Sequence, residues 1–244
     1  GLPRVSHCLD ALLLEQKSPS EISHDEIDPV FRARYLEASA LFSTAQYSSA
    51  AAKLEPLLTP ALGDRPLAMG ALLLGKIATQ LGDERRAKTY HQQAAECAIR
   101  LGDAGLEARA LSRLYAARSN ESSSYELETF DRLAHAAATR AGDQWEVVVE
   151  LAQSDAIAAQ SRNQLEHALE ALERSLEIQT KRLGAEHPDV ATTLQSLAQT
   201  LMRLGRYDQA VKRYEACLKL REVLEGTEHP HVALAAHQLG VLYG

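Results

Sequence analysis

The feature that most constrains this chain is a long internal repeat towards its C-terminal end. Residues 168–191 recur as residues 210–233 at a constant displacement of 42 positions, so that Ala168 corresponds to Ala210 and Pro188 to Pro230. A fixed period between about 20 and 50 residues is typical of a solenoid built from stacked supersecondary units. The repeat therefore predicts an array of similar units, each completing its core against its neighbours.

Within each unit, the apolar residues have the spacing of two helices. Leu197 and Leu201 fall on one helical face. Ala210 and Tyr214 fall on another, after the segment 205–208 with the sequence Gly-Arg-Tyr-Asp. Glycine suits the left-handed backbone that often ends a helix. The unit is therefore predicted to be a helix hairpin.

These residues resemble the tetratricopeptide repeat. The matching positions are Leu197, Ala198, Leu201, Gly205, Tyr207, Ala210, Tyr214 and Leu218. The period and the Leu-Gly-x-x-His-Pro-x-Val-Ala connector are similar to the longer subtype found in kinesin light chains and many bacterial proteins, although Leu194 replaces the usual Trp and Cys217 an Ala. The resemblance implies an all-α, right-handed superhelical solenoid of stacked antiparallel helix hairpins.

The same pattern, followed along the chain, predicts about five and a half repeats. Residues 1–26 are expected to form an N-terminal helix and linker that could cap the array, and residues 27–244 the array itself. The predicted units span 29–62, 66–101, 103–142, 145–184 and 188–226, with a partial unit at 230–244. Because the chain opens without Met and stops inside a predicted helix, we expect it to be a fragment.

Two turns depart from the pattern, and one helix end is marked by proline. In the third unit, the polar run 120–124 replaces the compact turn. In the fourth, Asn163 takes the place of Gly, which is acceptable because Asn tolerates a left-handed backbone. In the first unit, the second helix is predicted to run to about Leu58 and to end before Pro60.

Charge and composition exclude several classes of function. The net charge of −7 argues against a general binder of nucleic acid, which needs a clustered basic surface. No apolar run approaches about 18 residues and there is no signal peptide, so no membrane insertion is expected. The well-separated Cys8, Cys97 and Cys217 indicate reduced thiols, and hence a cytoplasmic protein.

The search for chemistry yields no catalytic residue, cofactor site or metal site. His229 and His231 are expected to point in different directions from a helix start, and no third ligand has a suitable spacing. Pro188 and Pro230 suit the first position of a helix, which assigns His187 and His229 to capping positions. No Gly-rich phosphate loop is present in the sequence.

The functional prediction therefore depends on shape. In the resembled family, the first helix of each unit lines a concave groove. Repeat register gives the candidate partner-binding residues as Lys76, Arg109, Gln153, Ile157, Gln160, Thr192, Gln195, Gln199, Arg203 and His237. The same register adds Met69, Leu72, Thr79, Ser112, Glu150 and Leu234. The four glutamines could clamp an extended peptide backbone, because amides both donate and accept hydrogen bonds; alternatively, they are simply good helix formers in water.

A second resemblance concerns the start of the chain. Leu2-Pro3, followed by Cys8-Leu9-Asp10 and then by long-period repeats, is similar to the region after the kinase domain of bacterial Ser/Thr protein kinases with C-terminal tetratricopeptide arrays. The kinase motifs themselves do not occur in this sequence. The resemblance implies a non-catalytic sensory or recruiting part of a bacterial signalling protein, which binds a peptide or a partner helix. The alternative is a self-association scaffold, a homo-oligomer that brings attached domains together.

Overall fold

The computed structural model describes residues 27–119 and 124–243, and every regular element in these ranges is a helix. The α-helices are α1 (Pro29–Ser43), α2 (Tyr47–Leu54), α3 (Asp64–Gln80), α4 (Glu84–Leu101), α5 (Ala104–Arg118), α6 (Ser124–Ala141), α7 (Trp145–Ser161), α8 (Leu165–Leu183), α9 (Pro188–Arg203), α10 (Tyr207–Glu225) and α11 (Pro230–Tyr243). The predicted all-α fold class is confirmed for the described residues. The helix and linker predicted for residues 1–26 lie outside them, as does most of the polar run 120–124.

The helices form two compact units, α1 to α6 and α7 to α11. In the first unit, α3 pairs with α4 and α5 with α6. Phe31 of α1, Leu54 of α2 and Ile77 of α3 are buried in one cluster, so the first three helices share a core. The second hairpin therefore completes the core that the first begins, as expected for a repeat array.

In the second unit, α7 pairs with α8 and α9 with α10, and α11 packs against α10. One buried cluster brings together Ala156 of α7, Leu172 of α8 and Leu197 of α9. A second cluster joins α9 to Cys217 of α10 and Ala235 of α11. Because alanines occupy several of these contact positions, the helices can approach closely.

The turns within hairpins use a left-handed residue. Gly205, between α9 and α10, has a φ of 72°, and Asn163, between α7 and α8, has a φ of 58°. Both were predicted to take this conformation, and both predictions are confirmed. Ala45, between α1 and α2, has a φ of 55° although it carries a Cβ. A left-handed backbone is unfavourable for alanine, so the conformation of Ala45 costs some of the stability of the fold.

The end of α2 differs from the prediction. The helix stops at Leu54 rather than near Leu58, and two short 3₁₀ helices follow, Glu55–Leu57 and Pro60–Leu62. Pro56 explains the difference, because a proline has no N–H to donate and its ring crowds the preceding turn. The sequence prediction considered only Pro60 as the terminating residue.

Candidate functional site

The first helices of the hairpins in the second unit present exposed apolar side chains. Ile157 of α7 is 41% exposed, and Leu234 and Val241 of α11 are 43% and 59% exposed. Ile157, Gln199 and Val241 succeed one another at the repeat displacement of 42 residues, so they occupy equivalent positions on α7, α9 and α11. We call the surface defined by Ile157, Thr192, Gln199, Leu234, His237 and Val241 the first-helix face.

Two of the predicted glutamines connect neighbouring helices. Gln153 Nε2 donates to Thr193 Oγ1 at 3.3 Å, and Gln160 Nε2 donates to Thr200 Oγ1 at 2.8 Å. Both threonines are buried in α9. These bonds tie α7 to α9 and satisfy hydroxyl groups that water does not reach. The amides therefore have a structural role, whatever capacity they keep for a ligand.

The polar residues at the end of α9 are held in the same way. Arg203 is exposed, and its guanidinium donates to the Gln160 carbonyl at 3.1 Å and to Asn163 Oδ1 at 3.2 Å. Gln195 Oε1 accepts from the buried Arg221 of α10 at 3.0 Å. Substituting Gln195 or Arg203 would therefore disturb packing as well as any binding surface.

Other predicted residues fall into distinct environments. Thr192 and His237 are exposed and Gln199 is half-buried, all three on the first-helix face. Lys76 and Arg109 are half-buried in the first unit.

Three residues assigned to the groove by register are buried, so their placement on a binding face was wrong. They are Leu72, Ser112 and Glu150. The Ser112 hydroxyl donates to the Ala108 carbonyl at 2.7 Å, which shows how a polar residue can turn inward and still be satisfied. Repeat alignment alone could not distinguish these buried positions from exposed positions nearby on the same helix.

The capping role predicted for two histidines is confirmed. The side chain of His187 accepts the N–H of Asp189 at 3.1 Å before α9, and Nδ1 of His229 accepts the N–H of His231 at 3.3 Å before α11. The prediction that His229 and His231 point apart without a third ligand was wrong. Both Nδ1 atoms face Glu225, the last residue of α10, at 2.7 and 3.2 Å. The short connector brings the carboxylate back over the start of the next helix.

Comparison with protein-family models identifies repeats in the part of the chain that carries the first-helix face. Two family models, each described as Tetratricopeptide repeat, match residues 156–189 and 196–244. The matched segments are tetratricopeptide repeats. They include all of α8 and α10 and the whole first-helix face except Thr192. No significant match is found among curated proteins.

Solved structures are similar to this chain in fold. The crystal structure of BtubC (BKLC) from P. vanneervenii is 19% identical, with a TM-score of 0.56, over 88% of this chain and 84% of that one. The crystal structure of a variant of the Podosopora anserina "kinesin light chain nearly identical TPR-like repeats" is 17% identical, with a TM-score of 0.47, over 80% of this chain and 96% of that one. Pseudomonas Aeruginosa pilF is 15% identical, with a TM-score of 0.45, over 88% and 93%.

Tetratricopeptide repeats such as those matched here imply protein–protein interaction. None of the helices in the described part of the chain has the length and apolar character needed to cross a bilayer.

Cys97 and Cys217 are buried free thiols, and burial raises the pKa of each above its usual value. They are therefore poor nucleophiles.

Proposed function

We propose that the chain binds a partner protein along the first-helix face of its second unit. The observation that supports this most directly is the exposure of Ile157, Leu234 and Val241 on the first helices of tetratricopeptide hairpins. Single exposed apolar residues are common on soluble proteins. Here, however, Ile157 and Val241 lie at equivalent repeat positions, so one linear partner could contact both in register.

The proposed partner is an amphipathic helix or an extended peptide with several apolar side chains. Its apolar groups would cover Ile157, Leu234 and Val241. The side-chain amide of Gln199 and the hydroxyl of Thr192 can exchange hydrogen bonds with a peptide backbone. The guanidinium of Arg203 would favour acidic rather than basic flanking residues on the partner.

Affinity capture from a lysate of the source cell tests this proposal. The bait with Ile157→Glu and Val241→Glu should lose its partner, because each carboxylate would have to be buried against apolar groups. Val223→Glu is the matched control, since Val223 is 71% exposed on α10 and lies outside the first-helix face. Circular dichroism should show that all three proteins remain helical. Loss of the partner from the control as well, or retention by the double variant, would contradict the proposal.

Self-association is the alternative, and the exposure of Tyr243 together with Val241 on α11 supports it. Exposed apolar side chains can pair with those of a second copy. Sedimentation equilibrium separates the two proposals: a mass that rises with concentration in the wild type and stays monomeric in Val241→Glu would favour the scaffold. A concentration-independent monomer would leave partner binding as the function.

We also propose that the module is non-catalytic, cytoplasmic and part of a larger bacterial signalling protein such as a Ser/Thr kinase. The support is the likeness of residues 2–10 to the region that follows the kinase domain in such proteins. Recruitment of a substrate or regulator would be the contribution of the repeats. Turnover of a hydrolase or transferase substrate by the purified chain would contradict the non-catalytic assignment.

A further inference from the structure

The connector between α10 and α11 brings a carboxylate and two imidazoles together. Glu225 is the last residue of α10, His229 precedes α11, and His231 is its second residue. Their side chains are 9%, 13% and 23% exposed, respectively. A carboxylate with so little solvent contact needs a charged or hydrogen-bonding partner.

Potential ligand atoms of the three residues lie close together. Glu225 Oε2 lies 2.7 Å from His229 Nδ1, and Glu225 Oε1 lies 3.2 Å from His231 Nδ1. The two imidazole rings meet edge to face, with their centroids 4.7 Å apart. One potential ligand atom from each residue lies within 4.8 Å of the other two. In a tetrahedral site with bonds of about 2.0–2.2 Å, ligand atoms are about 3.4 Å apart, so only small side-chain rotations are needed.

The hydrogen bonding of this cluster is incomplete within the described residues. Glu225 Oε2 and His229 Nε2 are buried, and no hydrogen bond reaches either atom. His229 Nδ1 accepts only a long bond, 3.3 Å, from the N–H of His231. Two electron-rich atoms at 2.7 Å, here His229 Nδ1 and Glu225 Oε2, repel each other unless a cation or a proton lies between them.

An arginine beside the cluster holds the carboxylate in place. Arg221 NH1 lies 3.3 Å from Glu225 Oε1, and its other terminal nitrogen donates to Gln195. Such an outer partner orients a ligating carboxylate.

We propose that Glu225, His229 and His231 form a binding site for a divalent transition-metal ion of the zinc class. Two imidazoles and one carboxylate are a donor set that suits Zn²⁺, with a water molecule in the fourth position. Bound metal would fasten the end of α10 to the start of α11. The site is specific to this repeat, because one period earlier the equivalent residues are Leu183, His187 and Asp189, which provide only one imidazole.

Zinc titration of the metal-free chain tests the proposal, with His229→Asn and His187→Asn as a matched pair. Asn caps helices well, so both variants should keep their folds, while only the first loses a proposed ligand. Glu225→Gln removes the charge at nearly constant volume. Calorimetry should give one Zn²⁺ per wild-type chain and per His187→Asn chain, and the affinity should fall more than about 100-fold in the other two variants.

Two further readouts distinguish a site from weak surface binding. Co²⁺ should give the visible absorption of a four-coordinate ion in the wild type and in His187→Asn only. Zn²⁺ should raise the melting temperature of those same two proteins. The proposal is overturned if the wild type binds no stoichiometric Zn²⁺, or if His229→Asn and Glu225→Gln bind it as tightly as His187→Asn does.

Discussion

Gly75 lies where α3 crosses α4, and it offers a sharp test of the packing in the first unit. A Cβ at this position would come within 3.0 Å of three atoms of the His91 ring, with Nε2 at 2.8 Å. Ordinary van der Waals contacts begin at about 3.4 Å. His91 is only 1% exposed, so its ring cannot swing out into solvent. We therefore expect Gly75→Ala to destabilise the chain.

The magnitude follows from two opposing effects. Overpacking a buried site costs about 1–3 kcal/mol, and three short contacts put Gly75→Ala towards the upper end. Replacing Gly by Ala inside a helix stabilises the helix by up to about 1 kcal/mol. The net loss should be about 1–2 kcal/mol. Gly240 in α11 is the control, because a Cβ there would meet nothing within 4 Å. Gly240→Ala should be stabilising by up to about 1 kcal/mol.

Urea unfolding followed by far-UV circular dichroism gives the overall stability of each variant. Repeat arrays need not unfold in one step, so amide hydrogen exchange in α3 and α4 should locate the effect of Gly75→Ala in the first unit. A double-mutant cycle with His91→Ala provides the decisive control. The double variant should be more stable than the sum of the single effects predicts, by about 1 kcal/mol or more. A neutral Gly75→Ala, or additive effects in the cycle, would refute the proposed contact.

Two further predictions concern a buried hydroxyl and the left-handed turns. Burial raises the pKa of Tyr214 to about 12 from 10.0, and its buried hydroxyl has no hydrogen-bond partner among the described residues. Tyr214→Phe should thus be neutral or stabilising by about 1 kcal/mol in urea. It should also remove a loss of stability between about pH 10 and 12, where the unfolded chain ionises first; an unchanged alkaline slope would contradict this. Ala45→Gly should be stabilising by about 1 kcal/mol, and Asn163→Gly by less, since Asn tolerates this backbone; thermal melts giving the reverse order would refute the turn assignment.

Local signals in the sequence predicted much of the fold because they act over one helical turn. Asn163 was identified as a substitute for glycine, and its left-handed φ agrees. Pro188 begins α9, and His187 caps it, because proline and a preceding acceptor are favourable at a helix start. Pro56 likewise indicated where α2 ends, but the prediction considered only Pro60.

The exposure of residues on the first helices was harder to predict, because burial depends on neighbouring helices. Glu150 and Thr192 share a repeat position, yet Glu150 is buried and Thr192 exposed. Gln160 looked like a free amide but bonds to Thr200, 40 residues later. Glu225 was missed as a partner of His229 because the four-residue interval crosses a connector rather than a continuous helix. Only the fold brings these groups into contact.

Photo-crosslinking tests the central claim, that the first-helix face binds a partner protein, most directly. A photoreactive amino acid would replace Gln199 on α9 in one protein and Val223 on α10 in another. After irradiation in a lysate of the source cell, the first protein should form a discrete adduct with a partner, and the second should form none. An adduct from position 223 alone, or equal yields from both positions, would contradict the claim.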